Sequence, residues 1–127
     1  MLRVPTALLM HQTPAGRHHD WLVGTPDYHS DPQARLWTAR IMQPSRLWRS
    51  LGRFDLTPLA PHRRAYLDYQ GPISGGRGTV QRVDRGVVVI HLWRESRVVW
   101  EVRFEHFTGL IEAVRLCDQA WRARVVG

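Results

Sequence analysis

The chain has 127 residues, enough for one domain with its own core, and its 43% hydrophobic and 23% charged residues exclude a disordered chain. A single cysteine, Cys117, excludes an internal disulfide and is read as structural, and no apolar run approaches the ~20 residues of a membrane span. The net charge is +7 and all 18 basic residues are arginines, which suits a phosphate-bearing partner because guanidinium forks pair with phosphate and stay charged, although an arginine-favouring codon usage gives the same composition.

In chain order, the first ten residues contain an arginine and a proline within a short apolar run, unlike a secretory signal. The chain is therefore expected to be cytoplasmic, with no membrane partner. A first strand is expected over residues 6–11. It runs into His11, a Pro/Gly loop follows, and His18-His19-Asp20 opens the next strand, expected over residues 19–23. If the two pair as a hairpin, His11 meets His18 and Asp20 at one end. His18 and Asp20 share a strand face, and His19 points the other way. Two imidazoles and a carboxylate with room for water suit a transition metal. The competing reading is a polar loop with histidines at a strand end, since the chain has seven histidines.

A third strand is expected over residues 35–41. Residues 43–61 hold three prolines and no clean period, and are expected to form a long irregular connection with a helical turn near residues 46–51. A strand is expected over residues 65–69, where His62 and Tyr66 share a face. With Arg63 and Arg64 they have the chemistry to hold a phosphate and protonate a leaving group. The alternative is a solvated loop anchored by Tyr66 and Tyr69. Residues 71–78 read as a glycine-rich turn, which is no P-loop because no Gly-Lys-Ser/Thr follows.

A strand over residues 79–83 and a turn at Asp84-Arg85-Gly86 lead into two β-rich runs around Arg94-Glu95-Ser96. In the second run Trp100, Val102 and Phe104 alternate with Glu101, Arg103 and Glu105, the period of a half-buried strand. Two last strands are expected over residues 110–116 and 120–126. The six tryptophans read as core and rim residues. The expected fold is all-β, one domain over residues 1–127, a small closed or partly closed β-barrel with a functional mouth.

Four segments in this order resemble the 3′-phosphoesterase domain found at the N-terminus of bacterial DNA ligase D and as small standalone proteins. They are His11 followed by His18-His19-Asp20; His62-Arg63-Arg64-Ala65-Tyr66-Leu67-Asp68-Tyr69-Gln70-Gly71; Gly78-Thr79-Val80 with Asp84-Arg85-Gly86; and the run from Phe107 to Leu116. The resemblance implies a β-barrel enzyme that uses manganese to remove 3′-phosphates and terminal ribonucleotides from DNA in repair. It implies His11, His18 and Asp20 as metal ligands, with His62 at the scissile phosphate and Tyr66 beside it. DNA 3′ ends, as primer–template or nicked duplex, are the implied partner, served alongside a ligase or polymerase. Zinc suits the same donors. The chain departs from the pattern at Leu22, where the family has a phosphate-binding arginine, and at Gln70, where it has a glutamate. The loop after His11 is one residue longer, the glycine-rich turn is shorter, and the family's N-terminal arm has no counterpart. Arg17, Arg63, Arg64 and Arg77 are the candidates to replace the lost phosphate clamp. The alternative expectation is a catalytically degenerate barrel that binds nucleic acid or a repair partner.

Overall fold

In the computed structural model, which describes residues 1–127, the chain forms nine strands: β1 (Leu2–Thr13), β2 (Gly16–Val23), β3 (Leu36–Ile41), β4 (Arg53–His62), β5 (Gly71–Pro72), β6 (Thr79–Arg94), β7 (Arg97–Phe104), β8 (Thr108–Cys117) and β9 (Ala120–Val125). Eight of them close in the order β1-β2-β3-β4-β9-β8-β7-β6, with β6 returning to β1, and every pairing is antiparallel. The all-β expectation thus resolves to a closed eight-stranded barrel, which leaves no long unpaired strand edge. The short β5 adds to the first residues of β6. No helix is long and apolar enough to cross a membrane.

The interior follows from alternation along the strands. Val4 and Leu8 of β1, Trp21 and Val23 of β2, and Trp100 and Val102 of β7 are buried in one cluster with Trp48, Phe54, Phe104 and Phe107. Trp21 meets Trp100 edge-on at 5.4 Å, and Trp48 stacks on Phe54 at 4.6 Å, geometries that add about 0.5–1.5 kcal/mol per pair to area burial. Trp21 Nε1–H donates to Thr6 Oγ1 at 2.9 Å, and that hydroxyl donates to the Leu22 carbonyl at 2.7 Å, so the buried polar atoms of this pair are satisfied. Trp37 and Trp93 are half-buried against the same cluster. The tryptophans are core and rim residues, as expected.

Four expectations are corrected. The irregular connection over residues 43–61 contains β4. Phe54 and Leu56 are buried and alternate with exposed Arg53, Asp55 and Thr57, and Pro58 is accommodated opposite Ala39 of β3. The helical turn is present, as a 3-10 turn over Ser45–Leu47 and the four-residue helix α1 (Trp48–Leu51), stopped by Gly52 at φ 71°. The strand expected over residues 65–69 is a 3-10 turn, Arg64–Leu67. Asp84-Arg85-Gly86 is no turn but lies within β6, beside a bulge in the β1–β6 register. There the buried Asp84 carboxylate accepts from Ser45 Oγ (2.6 Å) and from the backbone N–H groups of Arg85, Glu105 and His106. Cys117 is exposed at the end of β8 rather than structural.

A second apolar cluster forms on the opposite face of the β1–β2–β3 wall. Leu9, Leu22, Leu36 and Val80 are buried there beneath Tyr66, Leu67 and Ile73. The covering segment is fastened by Arg64, whose guanidinium donates to the carbonyls of Tyr28, Asp31 and Ala34 and lies 3.9 Å over the Tyr28 ring. The outside of the barrel wall thereby acquires a covered groove.

Candidate functional site

The β1–β2 hairpin sets His11 opposite His18 and Leu9 opposite Asp20. Directly opposed residues share a face, so His11, His18 and Asp20 all project from the outer face, beside the covered groove. The expectation of a site in the barrel mouth is corrected, because the interior at this level belongs to Met10 and His19, which pair with each other in the register. His19 faces away from the cluster, as the spacing predicts.

Their ligand atoms lie within 4.8 Å of one another. His11 Nε2–H donates to the Arg77 carbonyl at 2.8 Å. A carbonyl only accepts, so in the neutral ring Nδ1 carries a lone pair, and it faces Asp20 Oδ2 at 3.2 Å. Two acceptors at that separation require positive charge between them, from a proton or a cation. Asp20 Oδ1 is buried without a hydrogen-bond partner, although His18 Nε2 is 3.0 Å away. Donors held about 2.0–2.2 Å from one ion are spaced roughly 3 Å apart; the two His–carboxylate separations are of that order, and this group could hold a metal ion. Burial is the largest influence on His18 and holds it below the usual imidazole range; Arg40 and His11 add to this, and Asp20 opposes it. His18 is thereby kept in the neutral form that ligates. Burial likewise lowers His19.

The wall of the groove beside these residues is a small cleft of about 80 Å³ lined by His11, Asp20, His62, Tyr66 and Arg77 together with Leu9, Ile73 and Val80. His62 Nδ1–H donates to the Ala60 carbonyl at 2.9 Å, which leaves Nε2 as the free nitrogen. Tyr66 meets His62 edge-on at 5.4 Å. Residues separated by 40 positions or more in the chain are gathered here because Arg77 closes the glycine-rich turn against β1. Gly78 makes that approach possible: at φ 94° it lies where a Cβ would stand 1.9 Å from the Gln12 carbonyl oxygen.

The four candidate arginines separate. Arg77 lines the cleft, its Nε–H donated to the Ser74 carbonyl. Arg63 is exposed, 5.9 Å over the Tyr66 ring. Arg64 spends Nε and Nη2 on three carbonyls and lines a separate hollow with Arg35 and Arg63. Arg17 pairs with Gln12 and so lies on the mouth side of the hairpin, in contact with Met10 Sδ at 3.6 Å. Leu22 is fully buried in the outer cluster.

Arg40, which sequence reasoning did not single out, stands on β3 directly opposite Asp20 and lines a hollow shared with His18. Its guanidinium has no carboxylate within ion-pair distance. Only the β2–β3 register, which residue spacing does not encode, brings it there.

No family model matches the chain, and none of the curated proteins matches it.

Proposed function

We propose that this protein is a metal-dependent phosphoesterase of nucleic-acid 3′ ends, working at the outer-face cluster of His11, His18 and Asp20. The observation that carries the reading is the buried Asp20 carboxylate oxygen without a partner, set between two imidazoles and opening on a cleft lined by His62, Tyr66 and Arg77. A divalent ion held by the three ligands would supply charge neutralisation at a phosphate oxygen and lower the pKa of a bound water. His62, oriented by the Ala60 carbonyl, presents Nε2 for proton transfer to or from the reacting group. The Tyr66 hydroxyl and the Arg77 guanidinium would donate to the oxygens of a phosphate in the cleft, and Arg40, in the neighbouring hollow beside His18, is a further candidate donor. The resemblance in motif order and the net charge of +7 point to a DNA 3′-phosphate or terminal ribonucleotide, to manganese before zinc, and to cytoplasmic repair beside a ligase or polymerase.

The test is incubation with manganese and primer–templates ending in a 3′-phosphate or a 3′ ribonucleotide, with Asp20→Ala and His62→Ala alongside. Trimming by the wild type, abolished in Asp20→Ala and strongly slowed in His62→Ala, is expected. Leu22, buried where the resemblance places a phosphate-binding arginine, favours a second reading, a binding module without turnover. That reading takes over if folded, metal-loaded wild type forms no product yet binds DNA in a salt-dependent way that Asp20→Ala does not weaken.

A further inference from the structure

A cleft lies at the barrel mouth, on the other face of the hairpin that carries the outer cluster. It has a volume of about 510 Å³, and its lining includes Arg17, Arg46, His19, His106, Met10 and Val83. No acidic side chain lines it. The nearest buried carboxylate, Asp84, is already saturated by Ser45 Oγ and three backbone N–H groups. Neither Arg17 nor Arg46 has a carboxylate within ion-pair distance. His19 is 9% exposed, and its Nδ1 is buried with no hydrogen-bond partner.

We infer that the barrel mouth is a second binding site, distinct from the outer-face cluster, which takes a phosphomonoester of mononucleotide size. Two guanidiniums without carboxylate partners and two imidazoles lining one space suit a dianionic phosphate. The apolar lining of Met10 and Val83 gives a flat ring a surface on the same wall. The volume falls within the usual range for small-molecule sites, about 300–1,000 Å³. Below the mouth the barrel is filled by Trp21, Trp48 and Phe104. The cleft therefore does not continue through the barrel.

Adenosine 5′-monophosphate is the probe, titrated calorimetrically in chelator-containing, metal-free buffer so that the outer cluster cannot capture phosphate through an ion. Saturable binding is expected, with adenosine and inorganic phosphate each at least about tenfold weaker. The double variant Arg17→Ala/Arg46→Ala, at two exposed positions, is expected to weaken binding at least about tenfold, and His19→Gln to weaken it less. Asp20→Asn is expected to leave it unchanged, which separates this site from the proposed phosphoesterase centre. The inference is overturned by no saturation up to about 10 mM, or by binding that Asp20→Asn removes and the double arginine variant keeps. Inorganic phosphate binding as tightly as the nucleotide overturns the organic ligand. Displacement by an oligonucleotide without a terminal phosphate, at equal concentration, overturns the monoester.

Discussion

His11 Nδ1 stands 3.2 Å from Asp20 Oδ2 while its other ring nitrogen is committed to the Arg77 carbonyl. The pairing of β1 with β2 sets the approach, and the turn before β6 sets the tautomer. In the neutral state the facing atoms are both acceptors, and the second Asp20 oxygen is buried 3.0 Å from His18 Nε2. An ion between the two facing atoms would be held by both.

Manganese or zinc added to chelator-treated protein is accordingly expected to bind with about 1:1 stoichiometry and to raise the melting temperature. A ligand at a hundred times its Kd stabilises by about 2.7 kcal/mol, several degrees for a domain of this size. Asp20→Asn removes the only anionic ligand and is expected to abolish the shift. Calorimetry on both proteins checks it, and an equal thermal shift in Asp20→Asn would place the ion elsewhere.

The barrel and the grouping of His11, His18 and Asp20 were both legible in the residues, but not the wall of the barrel on which that group sits. Alternation of Trp100, Val102 and Phe104 identified β7, and the spacing of His18 and Asp20 put them on one face. Which face was inner depended on closure by β6 and on Leu9, Leu22, Leu36 and Val80 forming a second apolar layer, so β1 and β2 are buried on both sides and show no alternation to read. Strand β4 was hidden by Pro58 and Pro61, although Phe54 and Leu56 carried the period-two signal. Asp84-Arg85-Gly86 has turn composition for another reason. The Asp84 carboxylate gathers donors from three segments, and a Cβ on Gly86 would stand 1.7 Å from the Arg103 carbonyl oxygen. A glycine inside a strand marks close backbone approach as well as a turn.

Gly78 couples the glycine-rich turn to the cluster of His11, His18 and Asp20. In Gly78→Ala the added methyl meets the Gln12 carbonyl, and the turn must move away from β1, taking the Arg77 carbonyl off His11. A stability loss of about 2 kcal/mol or more is expected, with metal affinity falling further than stability accounts for. Gly76→Ala is the control. Its φ of 69° is also positive, but a Cβ there meets nothing within 4 Å, so a loss of about 1 kcal/mol and unchanged metal affinity are expected. Denaturation and metal titration of both variants decide it, and equal effects would sever the link from Gly78 to His11.

Arg63 and Arg64 are adjacent and are expected to respond oppositely. Arg64→Ala leaves three carbonyls without their charged donor and unfastens the cover over the outer cluster, for a loss of about 2–4 kcal/mol. Lysine is expected to recover little of it, since one ammonium cannot reproduce the planar fork. Arg63→Ala is expected to change stability by less than about 0.5 kcal/mol, and on the proposed activity to raise KM. Urea unfolding of the three variants is the measurement, and a stable Arg64→Ala would return that residue to the list of phosphate-binding candidates.

Glu112 lies on β8 between β7 and β9 and joins all three. One carboxylate oxygen accepts from Arg97 (Nη2 at 2.6 Å) and the other from Arg124 (Nη2 at 2.6 Å). These hydrogen bonds, Arg124 first, hold Glu112 below its ordinary value of 4.5. A carboxylate whose folded pKa is depressed contributes stability that is present above the unfolded value and is lost as pH falls through the folded one. Glu112→Gln is therefore expected to melt lower than wild type at neutral pH by the equivalent of about 0.5–1 kcal/mol, the ordinary range for surface pairs. The gap should hold down to about pH 4.5, close below it as the wild type takes up the proton, and shrink in 1 M salt, where the screening length is about 3 Å. Thermal melts of both proteins from pH 7 to pH 3 test this. A gap that persists unchanged at pH 3 would assign the contribution to packing of the Glu112 stem and not to its charge.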